Sequence, residues 1–372
     1  MQETDLVRID NTAVAQISRF IHSSMRSLRY TPRSWRDHAL HLVPPEPFDW
    51  ADPRVCDTLN WIFLVSALNF SFWSEKEGTD SRYGIEWRMG WGKEERTVWT
   101  GYWSLPAALD RALEEGIPIT DPAFYASETR CPDTTIERVF RRASRSAEDI
   151  PLLRERIAVM REVGATLVSH YNGSFMHFIR AFHLAHPSGT ALDFVRLITH
   201  TFPSFADECT FDGMRLCFWK RAQILVAETW AAFYPTSGPH PIFPNDGARA
   251  LSMFADYRVP QILHHLGLLV YKPALAALLA ARSPLAYGSR EEVAIRAGSI
   301  IAVEHVVAEI RRIRAEDESD SEGEGEEQEV CSVLVDFYLW DLAKLVEAGK
   351  GVISCLPTQP MLPAHRTRSI WY

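Results

Sequence analysis

The chain has 372 residues, of which 47% are hydrophobic and 23% are charged, so it is long and apolar enough to build a large folded core. Its formal net charge is −9, and nine acidic residues but no basic one fall within residues 316–329. Outside that segment, 39 acidic residues (48 − 9) balance 39 basic residues, so the basic surplus typical of a protein that binds a DNA or RNA polymer is missing.

The predicted elements are almost all helices. In the first part of the chain they cover residues 12–27, 55–73, 106–115, 121–128, 134–144, 148–170, 175–184 and 190–202. Alternating apolar residues over 82–101 predict one β-hairpin with its turn near 90–95. In the last part, two helices lie within 260–281, and others cover 291–313 and 333–347.

The acidic segment 316–329 is too hydrophilic to order itself, and we expect a disordered insertion there. Apart from it, no internal repeat or shift in composition marks a second core. The pattern therefore favours a mainly α protein with a single domain over residues 1–372 and one small β-hairpin.

Cysteines and apolar segments indicate the cellular setting. The six cysteines show no CxxC spacing and are expected to be reduced thiols. The longest apolar stretch, 61–73, is interrupted by polar residues and is too short to cross a membrane. The first residues do not resemble a secretory signal. We expect a protein of the cytoplasm, with the nucleus as the other compartment that the sequence allows, and no membrane partner.

The most unusual stretch is 218–261. Its first half predicts a helix that is apolar nearly all round and therefore buried, although it includes Lys220, Arg221 and Glu228. In its second half, Asp256 lies four residues before Pro260. Because proline is tolerated in the first turn of a helix, Asp256 is predicted at or just before a helix start.

Lys220 and Asp256 have two interpretations. A buried lysine and a carboxylate can form an acid–base site, because burial perturbs the pKa of both groups and such groups cluster in clefts. Alternatively, Lys220 and Arg221 extend from a core helix towards solvent, and Asp256 is only a helix cap. The spacing of the residues leaves both interpretations open.

Three further polar positions have open roles. Asn69 lies in an apolar segment, where an unpaired amide costs roughly 1–3 kcal/mol, so it bonds either the backbone or a ligand. Ser104 is a good N-cap for the next predicted helix, and that helix start could instead receive a phosphate. Residues 264 and 265 are both histidines. Because no further His, Cys or Asp ligands recur at helical spacing, no metal site is predicted there.

The motifs KRAQIL (220–225) and MFADYR (253–258) resemble the queuosine salvage protein family. The resemblance extends in order from about residue 58 to the C-terminus. Three more stretches carry it: LNFSFW (68–73), GYWSL through EGIPI (101–119) and DFYLWD (336–341). Members of this family are queuosine 5′-phosphate N-glycosylases, which release the base queuine, and their fold is similar to that of helical DNA glycosylases.

The resemblance implies a small nucleotide substrate, queuosine 5′-monophosphate or queuosine, and no cofactor. It implies that Asp256 is the carboxylate near ribose C1′, where positive charge develops as the N-glycosidic bond breaks. Queuine has carbon in place of the purine N7, so a proton or hydrogen bonds must reach another part of the base. Lys220 is the candidate for that role or for fixing Asp256.

The other residues that the resemblance suggests for substrate binding fall into three chemical groups. Acidic candidates for the cationic amine and the guanine-like edge are Asp207, Glu228, Asp336 and Asp341. Candidates for aromatic and polar contacts are Asn69, Phe72, Trp73, Tyr102, Trp103, Phe254, Tyr257 and Trp340. Basic candidates for the 5′-phosphate include Arg221 and Arg258.

Two other functions stay open at this point. One is a non-catalytic protein that binds queuine or a nucleotide, and the presence of Lys220 and Asp256 favours an enzyme over it. The other is a glycosylase that acts on bases in nucleic acid, which the balanced charge of the chain disfavours. The sequence makes no prediction about the oligomeric state.

Overall fold

A computed structural model describes residues 6–245, 247–319, 330–350 and 356–372, and the side chains of 317–319 are not described. Helices form most of the regular structure, and the strands occur in short antiparallel pairs. The predicted mainly α class is therefore confirmed. None of the helices in the described ranges is long and apolar enough to cross a membrane.

The elements up to residue 201 are β1 (Val7–Ile9), α1 (Asn11–Ser27), α2 (Pro53–Ala67), β2 (Gly84–Arg88), β3 (Arg96–Thr100), α3 (Ser104–Glu114), α4 (Pro122–Tyr125), α5 (Asp133–Val139), α6 (Leu153–His170), α7 (Phe175–Ala185) and α8 (Ala191–Thr201). The later elements are β4 (Glu208–Phe211), β5 (Met214–Cys217), α9 (Lys220–Ala232), α10 (Arg258–His265), β6 (Leu269–Tyr271), α11 (Pro273–Ala280), α12 (Arg290–Ser319) and α13 (Ser332–Glu347).

The chain divides into two compact units. Unit 1 comprises Met1–Pro32, Glu208–Lys220 and Ala248–Arg368, and unit 2 comprises Arg33–Asp207, Arg221–Gly247 and Ser369–Tyr372. The organisation as a single domain stays a prediction.

Unit 1 has a helical core. Helices α10, α12 and α13 pack against one another, and α1 packs on α12. Strand β1 pairs antiparallel with β6, with Val7 opposite Tyr271. Residues 251–256 form no regular structure and lead directly into α10. Since this segment contains Asp256, the packing around it determines the geometry of that carboxylate.

Unit 2 buries aromatic side chains between helices. Phe63 of α2 packs on Phe175 of α7, with ring centroids 4.9 Å apart, and Phe178 packs on Phe194 of α8 at 5.3 Å. Helix α9 is buried along nearly its whole length, as its apolar sequence predicts. The predicted hairpin is confirmed as β2 and β3, which pair with Gly84 opposite Thr100.

The prediction that one helix covers 55–73 is wrong, because α2 ends at Ala67. Buried arginines replace the N–H groups of a further helical turn by donating to the carbonyl groups at this end. Arg221 donates to Ala67 O, and Arg156 donates to Leu68 O and Phe70 O. With these oxygens satisfied, the chain leaves the helical conformation, and Ser71 has a φ of 56°.

Two strand pairs were not predicted. The β4–β5 hairpin turns at Asp212 and Gly213, both at positive φ, which suits the two central residues of a tight hairpin turn. The β1–β6 pair joins strands of three residues that are far apart in sequence, so neither strand is long enough to show a clear alternation.

The disordered insertion expected at about 316–329 stays a prediction. Helix α12 continues to Ser319, beyond the predicted end of this helix at residue 313. The backbone of residues 316–319 therefore belongs to this helix. The remainder of the predicted insertion, residues 320–329, lies outside the described residues.

Candidate active site

Asp256 lies two residues before α10 and caps its first turn. Its Oδ1 accepts hydrogen bonds from the N–H groups of Arg258 at 2.8 Å and Val259 at 2.9 Å. Pro260 follows within that first turn, where its missing N–H costs nothing. The prediction that Asp256 lies at a helix start is confirmed. Both capping bonds go to Oδ1, so the cap does not use Oδ2.

The backbone around Asp256 is fixed by side chains from two helices. Asp336 Oδ2 on α13 accepts a hydrogen bond from Phe254 N–H at 3.0 Å. Arg296 Nε on α12 donates to Ala255 O at 2.8 Å. Asp256 N–H donates to Phe254 O at 2.7 Å. An irregular buried segment needs such partners for its polar groups, and here they also fix the direction of Asp256.

Asp336 is a buried carboxyl group with a strongly perturbed protonation. Its side chain is on α13, and the residue is only 3% exposed. Burial raises the pKa of Asp336 well above its usual value, and the charge of Asp256 raises it further. The hydrogen bond from Phe254 N–H and the charge of Lys220 lower this pKa without cancelling the rise. Asp336 therefore holds its proton to a higher pH than an ordinary aspartate does, and in its protonated form it can donate a hydrogen bond.

Lys220 is the first residue of α9, is assigned to unit 1 and is 4% exposed. It is close enough to Asp336 for its positive charge to affect that carboxyl group. The residue before it, Trp219, has a φ of 50° and donates from its indole Nε1 to Glu208 Oε1 at 2.9 Å. Lys220 thus enters the helix after a sharp turn that a side-chain hydrogen bond holds.

These observations test parts of the two interpretations of Lys220 and Asp256. The alternative in which Lys220 and Arg221 extend to solvent is wrong, because they are 4% and 1% exposed. The capping role of Asp256 is confirmed, and the acid–base role of Lys220 and Asp256 stays a prediction. Asp336 is influenced by both Lys220 and Asp256, so the three residues form one electrostatic cluster.

The other candidates in unit 1 have individual partners. The ring of Phe254 lies 5.9 Å from that of Phe337. Arg258 donates to Gln261 Oε1 at 2.9 Å and lies 3.7 Å from a carboxylate oxygen of Glu347. Tyr257 is 8% exposed. The ring of Trp340 lies 5.5 Å from Lys344 Nζ. Asp341 accepts a 2.6 Å hydrogen bond from the Tyr30 hydroxyl.

Within unit 2, Glu228 is a second buried carboxylate with defined partners. The Tyr102 hydroxyl donates to its Oε1 at 3.1 Å, and Ser66 Oγ donates to its Oε2 at 3.3 Å. Burial, and next the charge of Glu228, raise the pKa of Tyr102 well above its usual value. The ring of Phe72 meets that of Tyr102 edge-on at 6.1 Å. Three of the predicted binding residues are therefore brought together.

Trp103 has one face already covered. The ring of His38 stacks on it at 3.4 Å with the two planes 3° apart. Asn69 and Trp73 are buried in the segment that follows α2, at 7% and 6% exposure. Their contacts with a substrate, like those of the other binding candidates, stay predictions.

Arg221 has a structural position in unit 2. Its two terminal nitrogens donate to the carbonyl oxygens of Ala67 and Ser204, and its guanidinium lies 5.0 Å from the ring of Phe205. Burial lowers its pKa to about 9, while the charge of the nearby Asp207 partly opposes this change. These contacts favour stabilisation of the end of α2, and a role in phosphate binding stays a prediction.

Comparison with known proteins decides the family. A sequence model described as "Queuosine salvage protein" matches residues 50–372. A protein of Schizosaccharomyces pombe is 38% identical over 371 residues, which cover 98% of this chain and 95% of the relative. This chain belongs to the queuosine salvage protein family.

Other members are similarly close. A protein of Sphaerobacter thermophilus is 37% identical over 100% of this chain and 95% of its own length. A mouse protein is 36% identical over 98% of this chain and 94% of its own length. Both of them, like the Schizosaccharomyces pombe protein, are named "Queuosine 5′-phosphate N-glycosylase/hydrolase". The resemblance that the motifs suggested is confirmed.

The sequence motifs of the queuosine salvage family do not include two buried residues near this cluster. Glu292 and Arg296 of α12 have fully buried side chains, and Arg296 Nη1 lies 3.3 Å from Glu292 Oε1. The available signal was a pair of opposite charges four residues apart in a helix with apolar neighbours. Such pairs are also common on exposed helices, so the signal alone does not predict burial.

Proposed function

We propose that this chain hydrolyses the N-glycosidic bond of queuosine 5′-monophosphate and releases the base queuine for reuse in tRNA modification. The observation that carries this proposal is the named activity of the Schizosaccharomyces pombe relative, which is similar over 98% of this chain and 95% of its own length. The cluster of Lys220, Asp256 and Asp336 supports the proposal, because it offers both a carboxylate and groups that can donate protons or hydrogen bonds.

The proposed reaction adds water across one bond. The bond between ribose C1′ and the base nitrogen breaks, and its electron pair leaves with the base. The oxygen of water bonds to C1′, one proton of that water reaches the base, and the other stays on the oxygen as the new C1′ hydroxyl. The products are queuine and ribose 5-phosphate. Positive charge develops on the ribose in the transition state, as in the hydrolysis of glycosides.

In this proposal, Asp256 acts at C1′. Its Oδ1 is used by the cap of α10, so Oδ2 is the oxygen that stabilises the developing cation and orients or deprotonates the attacking water. The capping bonds fix the carboxylate before the substrate binds, so little reorganisation is needed during the reaction. Asp256 is half-buried, which leaves part of it accessible.

The proposed partner of the leaving base is the pair formed by Asp336 and Lys220. Because the base has no nitrogen at position 7, the protein must stabilise negative charge elsewhere on it. The raised pKa of Asp336 favours its protonated form, which can donate a hydrogen bond to the guanine-like edge. Lys220 supplies a positive charge beside it, and this charge stabilises a base that leaves with an electron pair.

The proposal includes the cellular setting. A cytoplasmic location is supported by the cysteines, since none in the described part of the chain forms a disulfide bond. The proposed partner is the small nucleotide itself and not a nucleic-acid polymer, which agrees with the balanced charge outside residues 316–329.

The test is a comparison of substrates with the purified full-length protein. Queuosine 5′-monophosphate, queuosine and tRNA that contains queuosine are incubated separately, and chromatography measures queuine and ribose 5-phosphate. We expect the two products in equal amounts from the 5′-monophosphate and no release from intact tRNA. Tight binding of the nucleotide without release would favour a carrier protein, and release from tRNA would favour a nucleic-acid glycosylase.

A further inference from the structure

Arg296 is a fully buried cation that is fixed by its own helix. Its Nη1 lies 3.3 Å from Glu292 Oε1, one helical turn earlier on α12, and both side chains are 0% exposed. The other oxygen of Glu292, Oε2, accepts a hydrogen bond from Gly288 N–H at 3.0 Å. Glu292 is thus held by Gly288 N–H and in turn holds the guanidinium of Arg296. The planar guanidinium has further N–H groups with which it can bind other segments.

From this position Arg296 contacts the two segments that carry the proposed catalytic residues. Its Nε donates to Ala255 O at 2.8 Å, and Ala255 directly precedes Asp256. Its guanidinium carbon lies 3.9 Å from the centroid of the Phe218 ring, two residues before Lys220. All of these residues belong to unit 1.

The hydrogen bond to Ala255 fixes more than one atom. The carbonyl of Ala255 and the N–H of Asp256 belong to the same peptide group, which is planar. Arg296 holds the oxygen of this plane, and Phe254 O accepts the N–H at 2.7 Å. A peptide plane held on both sides cannot rotate freely, and a rotation would move the Cα atom and the carboxylate of Asp256.

We propose that Arg296 is a positioning residue that fixes Asp256 and Lys220 relative to each other for cleavage of the glycosidic bond. This inference rests on the proposed function. Arg296 is fully buried, and in this proposal it acts through Ala255 and Phe218. Its effect should therefore fall on the rate of the chemical step, because a catalytic group misplaced by about 1 Å can slow a reaction about 100-fold.

The variant must remove Arg296 without leaving an unpaired buried charge. Glu292→Leu combined with Arg296→Met does this, because a buried ion pair can often be replaced by apolar residues without loss of stability. The matched control is Glu309→Leu combined with Arg312→Met. It removes another Glu–Arg pair of the same helix, at 2.8 Å, whose arginine is 48% exposed.

Queuine release is measured for both double variants. We expect kcat of the Glu292→Leu/Arg296→Met variant to fall about 100-fold while KM stays within about threefold of wild type. The control variant should keep the wild-type kcat. A Glu292→Leu/Arg296→Met variant that folds and keeps its kcat would overturn the proposal.

A second comparison separates positioning from a general structural role. The same double substitution is added to Asp256→Asn, and single-turnover rates are measured at high protein concentration. If Arg296 acts through Asp256, the added loss should shrink to about threefold or less, because coupled residues are not additive. A full loss of about 100-fold in this background would contradict that route.

Amide hydrogen exchange keeps the inference testable if the proposed function fails. If the wild type releases no queuine, the proposed function is wrong. The effect of Arg296 on the backbone of residues 254–256 can still be measured. We expect exchange of the Phe254 and Asp256 amides to become about tenfold faster or more in the Glu292→Leu/Arg296→Met variant. Unchanged exchange at both amides would show that Arg296 does not fix this segment.

Discussion

The starts of α1 and α10 use the same local device. At the start of α1, Asp10 Oδ1 accepts hydrogen bonds from the N–H groups of Thr12 and Ala13 at 3.0 and 3.1 Å. At the start of α10, Asp256 Oδ1 accepts from the N–H groups two and three residues later, at 2.8 and 2.9 Å. Judged by these hydrogen bonds alone, the two aspartates are equivalent helix caps.

Their surroundings differ. The side chain of Asp10 is 31% exposed and its nearest charged partner is Arg8, at 3.3 Å. Hydrogen bonds, first from Ala13 N–H, lower the pKa of Asp10. Asp256 is grouped with Lys220 and Asp336, which are 36 (256 − 220) and 80 (336 − 256) residues away. Local sequence is therefore enough to form the cap. Residues that are distant in sequence place a charged cluster around only one of the two similar carboxylates.

Among the substitutions that leave Asp256 intact, the largest effect is expected at Lys220. We predict that Lys220→Met lowers kcat for queuine release about 1,000-fold, which corresponds to about 4 kcal/mol of transition-state stabilisation, because the charge beside the leaving base is lost. Lys272→Met is the matched control, since Lys272 is exposed in the same unit. Steady-state kinetics of both variants checks the prediction. A decrease in kcat of less than about tenfold would show that Lys220 does not take part in the chemical step.

The next effect concerns the pH dependence of stability at Asp336. A raised pKa in the folded state means that the folded protein keeps a proton that the unfolded chain releases above the ordinary aspartate pKa of 3.8. Stability is therefore fully present below that pH and is lost as the pH rises towards the raised pKa, by up to about 1.4 kcal/mol per pH unit. Asp336→Asn removes this titration and still offers an oxygen to Phe254 N–H.

Urea unfolding of wild type and Asp336→Asn, measured at a series of pH values, tests this sign. We expect the free energy of unfolding of the wild type, relative to the variant, to fall as the pH rises above about 4. A relative stability that stays constant or rises over this range would mean that Asp336 is ionised in the folded protein.

The smallest effect is expected for the caps themselves. Asp10→Ala and Asp256→Ala should each lower the free energy of unfolding by about 1 kcal/mol, because each removes an acceptor for two N–H groups. The Asn variants should be much closer to wild type, since asparagine is an equally good cap. Urea unfolding at one pH checks all four proteins. A much larger loss for Asp256→Asn than for Asp10→Asn would show that the charge of Asp256 also supports folding.

Much of the helical framework could be predicted, because it follows from local periodicity and end signals. The start of α10 at Asp256 and Pro260 is an example, and the β2–β3 hairpin is another. The end of α2 could not be predicted, because it depends on Arg156 and Arg221, which reach its carbonyl groups from 88 and 154 residues away. Apolar periodicity continues past Ala67 and carries no information about these partners.

The candidate site, like the fold, could be predicted only in part. The motifs of the family contain Lys220, Asp256 and Asp336, so their residue types were available from the sequence. The role of Arg296 was not, since it depends on a hydrogen bond to a backbone carbonyl 41 residues away. A sequence motif records side chains, whereas the geometry of Asp256 is set largely through main-chain groups.

The most direct test of the account compares Asp256→Asn with Asp10→Asn in queuine release from queuosine 5′-monophosphate. Both substitutions keep the capping oxygen and remove one negative charge from unit 1. We predict that Asp256→Asn lowers kcat about 10,000-fold with its fold intact, because the charge that stabilises the ribose cation is lost, and that Asp10→Asn releases queuine at the wild-type rate. Equal release by the two variants would contradict the assignment of Asp256 as the catalytic carboxylate.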